Sequence, residues 1–127
     1  MKIAALIARI LLGLVFVVFG ANGLHPFLPM PEMPPSLAKQ FVLAMVQSHY
    51  VLVVAGVQFI GGLLLLINRY VPLALAILGP VVVNILCYHF FMQHMGLPLA
   101  LVVTILWFIL FAYYRRSFAG LFEAKPV

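Results

Sequence analysis

The sequence predicts an all-α fold, an integral membrane four-helix bundle forming one domain over residues 1–127. Three observations carry that expectation. Hydrophobic residues make up 67% of the chain and charged residues 7%, where soluble domains carry roughly 25% charged residues. Mean hydropathy is correspondingly high, at +1.27. The apolar residues gather into four runs, each long enough to cross a hydrocarbon core of about 30 Å. The runs are separated by proline, glycine and aromatic or basic clusters that interrupt helices or anchor their ends.

The first span is expected over about residues 3–24. Its head, Lys2 followed by an apolar run, also has features of a cleavable leader, but Arg9 interrupts the clean core such leaders need, so the segment is read as retained. Arg9, Gly13, Phe16, Gly20 and Gly23 follow helical spacing. They form a narrow stripe along which a second helix can approach closely. Residues 25–46 then make an interfacial connection. Five prolines between Pro26 and Pro35 rule out a regular helix there. Ser36 is placed as an N-cap, so Leu37 to about Val46 reads as a short interfacial helix or an early extension of the next span.

The second span is expected over 47–67, ending at the interfacial triplet Asn68, Arg69 and Tyr70. Ser48, Ala55, Gln58 and Gly62 share one face of it, so the Gln58 amide is expected to look into the bundle. The third span covers 73–91 after a short turn at Pro72, with Gly79 and Pro80 positioned to bend it. Gly96, Leu97 and Pro98 make a tight turn into the fourth span, 99–114, which closes on Tyr113, Tyr114, Arg115 and Arg116. The tail from Ser117 is expected to be loosely ordered.

Lys2, Arg9, Arg69, Arg115, Arg116 and Lys125 fall on one side of this arrangement, against Lys39 alone on the other. The excess of Lys and Arg puts the N and C termini in the cytoplasm, in a cell membrane of the bacterial cytoplasmic type. His25, His49, His89 and His94 then all lie toward the outer side.

Chemistry is sparse. Asn22, His25, Gln58, Asn84, Tyr88 and His89 are the candidate ligand-binding residues, with Gln58 and Asn84 as the floor of an outward-facing polar pocket and histidines at its rim. A polar group facing lipid without a partner costs about 2–7 kcal/mol, so these side chains must meet one another, a ligand or water. Asn84 and Tyr88 lie one helical turn apart and could bond each other or Gln58 as glue between helices. No catalytic residues are assigned, because the chain has no Asp, only Glu32 and Glu123 as carboxylates, and no nucleophile setting. No metal site is assigned either: His89 and His94 are five residues apart and share no helix face, which argues against haem or metal. Cys87 stands alone and cannot run a disulfide relay. The net charge of +5 is spread over helix flanks with no basic run beside stacking aromatics, so nucleic acid is not an expected partner.

Three stretches, RILLGLVFVVFGANGLHPFLPMP at 9–31, AGVQFIGGLLLL from Ala55 and NILCYHFF from Asn84, resemble the DoxX-like family of small four-helix membrane proteins. The resemblance implies a four-helix bundle in a bacterial-type membrane. Relatives are associated with quinone-coupled sulfur oxidation or with complexes that handle oxidative stress. Where such relatives often carry Glu in the second span this chain has Gln58, which leaves hydrogen bonding rather than proton transfer as that residue's task. The expected function is that of a multipass, non-catalytic partner or assembly subunit whose pocket takes a lipid or small hydrophobic ligand. The alternative is a quinone-interacting membrane subunit of an oxidoreductase complex. The bilayer, a membrane or peripheral protein and further copies of the chain are the partners that fit.

Overall fold

A computed structural model describes residues 1–29 and 32–125. The described residues are helical and contain no strand. The helices are α1 (Lys2–Leu24), α2 (Leu37–Gln47), α3 (Tyr50–Leu66), α4 (Val71–Phe91) and α5 (Leu97–Tyr113). Short 3₁₀ segments cover His94–Gly96 and Arg115–Phe122. Three helical stretches are long and apolar enough to cross a membrane, and α2 with α3 makes a fourth if that bent pair is counted as one span.

Within the set of four longer helices each packs on two of the others, α1 against α3 and α5 and α4 against the same two, and α2 packs on α3. The glycine stripe explains the closeness of α1 and α3. A Cβ on Gly62 would stand 2.7 Å from the backbone nitrogen of Val17, and one on Gly20 would stand 2.6 Å from that of Phe59. Only hydrogen fits in those places, so backbone meets backbone.

Several boundaries differ from those expected. The second span starts at Tyr50 rather than 47, because His49 adopts a left-handed conformation with φ 64°. That residue ends α2 and turns the chain, so α2 and α3 meet at 87°. Leu37–Gln47 is therefore a separate helix and not an extension. It starts as expected, with the Ser36 hydroxyl accepting from the Lys39 N–H at 3.2 Å. Helix α4 begins at Val71, two residues early, since Pro72 is tolerated in a first turn where no N–H partner is needed. It runs on through Gly79 and Pro80 without a break. The tail is more ordered than the sequence suggests: Phe118 is buried, its ring 5.0 Å from that of Phe111. The expected proline loop is irregular where described, and Met30 and Pro31 lie outside the described residues.

The dry core is weighted toward one half. Ala5, Ala8, Leu12, Leu65, Leu75 and Leu110 are all buried there, near the starts of α1 and α4 and the ends of α3 and α5. Arg9 belongs to this half. Its guanidinium Nη1 donates to the carbonyl of Leu65 and, at 3.2 Å, to that of Leu66, in the last turn of α3. The Leu65 carbonyl also accepts from the Asn68 N–H at 3.3 Å, and the negative end of the helix dipole favours a cation beside these last-turn carbonyls. No polar or charged side chain is buried among the described residues. The outward faces are apolar instead, with Ile3, Val53, Ile60, Leu73, Ile105 and Phe108 all more than half exposed.

Candidate ligand cleft between Gln58 and His89

The opposite half does not close. A cleft of about 290 Å³ lies where the second half of α1, the first half of α3, the end of α4 and the start of α5 converge, with Met45 of α2 at its edge. Phe16, Phe19, Val54, Ile85, Leu99 and Val103 give it apolar walls. Two polar side chains line it, Gln58 and His89.

Gln58 reaches the cleft because it follows Ala55 by one turn on the face of α3 that meets α1, where Ala55 is buried. It is half-buried, and none of the side-chain hydrogen bonds formed among the described residues involves it. A primary amide left without a protein partner offers two donors and a carbonyl acceptor.

His89 is held more tightly. Its Nδ1 lies 3.1 Å from the carbonyl of Gln93. A carbonyl can only accept, so Nδ1 carries the proton, and Nε2 of the neutral ring is left as an acceptor. Gly96 provides the seat. A Cβ there would fall on the imidazole, 2.6 Å from Nδ1, so the ring lies directly on the glycine of the turn before α5. Tyr88 packs edge-on against the same ring at 5.0 Å and meets Phe41 of α2 at 5.6 Å.

The other candidate residues are placed elsewhere. Asn84 does not join Gln58 as a floor: it is exposed, and its Nδ2 donates back to the Pro80 carbonyl at 2.9 Å, so it bonds neither Tyr88 nor Gln58. Asn22 is a local cap, its Oδ1 accepting from the N–H groups of Phe27 and Leu28, both at 2.9 Å. His25 is exposed beyond the end of α1. Tyr88 is half-buried beside His89 without lining the cleft. His94 Nε2 donates to the Phe90 carbonyl at 2.7 Å and serves the end of α4. No group of three His, Cys, Asp or Glu side chains comes together among the described residues.

Sequence reasoning misses Gly23, Met45 and Leu99 as lining residues and Gly96 as the support for His89. Gly96 carries a usable signal, since a glycine in a turn one or two helical turns after a histidine can admit that ring. The apolar lining residues carry none, because every face of these helices is apolar.

No family model matches the chain, and no curated protein or solved structure matches it significantly.

Proposed function

We propose that the protein is a multipass, non-catalytic membrane subunit that holds a lipid or small hydrophobic ligand by a hydrogen-bonding group in the cleft between Gln58 and His89. In this reading the four longer helices span a bacterial-type cytoplasmic membrane as a DoxX-like four-helix bundle. Both termini and the turn at Arg69 lie in the cytoplasm, and the cleft opens toward the outer side. The apolar outward faces support immersion in hydrocarbon, where an exposed leucine or phenylalanine carries no cost. A membrane or peripheral protein partner, or further copies of the chain, would supply any chemistry.

One observation carries the reading: an apolar cleft retains an unengaged amide and an imidazole held in one orientation. A cleft of about 290 Å³ is at the small end of ligand pockets, which run from about 300 to 1,000 Å³. It would take a ring or a compact head, with any long tail leaving between helices into the acyl chains.

The same pair favours one more specific occupant. Gln58 can donate to a carbonyl while His89 Nε2 accepts from a hydroxyl, which suits the oxidised and reduced forms of a quinone ring. The redox centre would then belong to the partner.

Extraction of the protein purified in mild detergent tests both readings, with absorption spectra and mass analysis of the released molecules. A retained apolar molecule that disappears in Gln58→Leu/His89→Leu, with helix content unchanged, is the expected result. A quinone in the extract selects the second reading, and other lipid selects the first. Equal retention by the double variant would rule out the cleft.

A further inference from the structure

The opposite end of the molecule carries a different chemistry. Two adjoining cavities, of about 430 and 260 Å³, open there, and Tyr113 and Tyr114 line both. Arg115, Arg116 and Ser117 complete the first, and Lys2, Arg9 and Asn68 the second. Four cationic side chains therefore border one recess, together with the hydroxyls of two tyrosines and a serine. Among the described residues no carboxylate lines either cavity, and the chain's only acidic side chains are Glu32 in the proline loop and Glu123 after the last 3₁₀ segment.

A surplus of Lys and Arg at one end of membrane helices is accounted for by topology alone. A recess that gathers them without counter-charge is not. Lys2, Arg115 and Arg116 are exposed and Arg9 half-buried, and an anion entering among like charges gathered in one concave place relieves their mutual repulsion. Guanidinium groups pair with phosphate oxygens through parallel N–H donors, and hydroxyl groups add further bonds.

We propose that this recess binds the phosphate of an anionic phospholipid. The neighbouring surfaces identify the lipid as the source of that phosphate. The segment Arg115–Phe122 turns back so that Phe118 is buried while Leu121 and Phe122 remain about three-quarters exposed. Arginines are thereby set beside apolar side chains, the pairing of charge and hydrocarbon that marks headgroup depth. The outward faces of α1 and α5 next to it, with Ile3, Leu6 and Ile105, offer a track for acyl chains. Arg9 is partly committed to the end of α3, so Arg115 and Arg116 are the residues that answer to the headgroup. The assignment rests on the proposed membrane insertion and is independent of the cleft.

Native mass spectrometry of the full chain, with phosphatidylglycerol or phosphatidylcholine added to the purified protein, provides the test. Phosphatidylglycerol is expected to bind about thirtyfold more tightly, in line with roughly 1 kcal/mol for each of two basic residues near a charged headgroup. Arg115→Gln/Arg116→Gln should remove most of that preference, and raised salt should weaken it in the unmodified protein. Arg116→Gln alone gives the smaller change in the same direction should the double variant fold poorly. Equal affinity for the two lipids would overturn the proposal, as would displacement of phosphatidylglycerol by millimolar inorganic phosphate, which would mark a site for free anions. Recovery of the chain in the soluble fraction would overturn the membrane reading itself. A membrane-borne chain indifferent to headgroup charge would overturn this site alone.

Discussion

Gly96 and His89 define the candidate site more sharply than any other pair of residues. The imidazole lies on the glycine, so its position is set by the absence of a side chain across the turn. Gly96→Ala would drive a methyl group into the ring, and overpacking of this kind costs about 1–3 kcal/mol. The expected result is a lower Tm together with loss of any molecule the cleft retains, both read on the purified variant. Unchanged stability and retention would mean that His89 has room to move and is not positioned by the turn. Gln58 needs no comparable seat. The same face of α3 that buries Ala55 carries its amide to the cleft.

Gln58 and His89 are legible as candidates because hydrocarbon penalises polar groups wherever they fall. Which polar groups converge is not legible. Asn84 occupies a helix that is apolar all round, so nothing in the pattern reveals that it faces outward and satisfies itself on the Pro80 carbonyl. Asn22 resembles pocket chemistry because caps and ligands use the same side chains, and only the loop geometry separates them.

Among the elements, α1 and α3 form the tightest pair, and glycines at helical spacing announce it in the sequence. Gly62 and Gly56, both on α3, make a direct comparison. A Cβ at Gly62 would meet the backbone of α1, whereas one at Gly56 would meet nothing within 4 Å. Gly62→Ala is therefore expected to lower stability by about 1–3 kcal/mol as the helices part. Gly56→Ala should raise it by about 0.5–1 kcal/mol, the ordinary gain of alanine over glycine inside a helix. Thermal or denaturant unfolding of the two variants in detergent decides the matter, and equal effects would show that the contact is not close.

The bend between α2 and α3 is less legible. Residues 37–46 read either as a short interfacial helix or as an early extension of the next span, and the left-handed His49 separates two helices that meet at 87°. Histidine is among the residues that tolerate such a backbone, but the sequence does not compel it. Helix α2 thereby brings Met45 to the cleft and Phe41 to Tyr88, contacts that a straight span would lose.

At the scale of the molecule, buried apolar side chains concentrate between the helices in the half that carries Arg9, whereas the half that carries His89 keeps an apolar cleft between them. Leu12, Leu65 and Leu75 fill the first half, and Phe16, Ile85 and Val103 wall the cleft in the second. The asymmetry of charge is plain in the sequence, and the asymmetry of packing is not. Charge asymmetry is a matter of counting, while packing depends on how side chains of similar hydrophobicity fill space. The tail shows the same limit: Phe118 sits in a stretch that reads as a loose end, yet it seals the core from below through Phe111.

The central claim is that the chain crosses the bilayer four times with its basic end inside and its histidine end outside. Single cysteines placed at Arg69, Ser117, Glu32 and Met95 in a Cys87→Ser background, probed with a membrane-impermeant thiol reagent on intact cells, measure this directly. Positions 32 and 95 should label from outside and positions 69 and 117 only after lysis. Labelling of positions 95 and 117 from the same side would contradict the account.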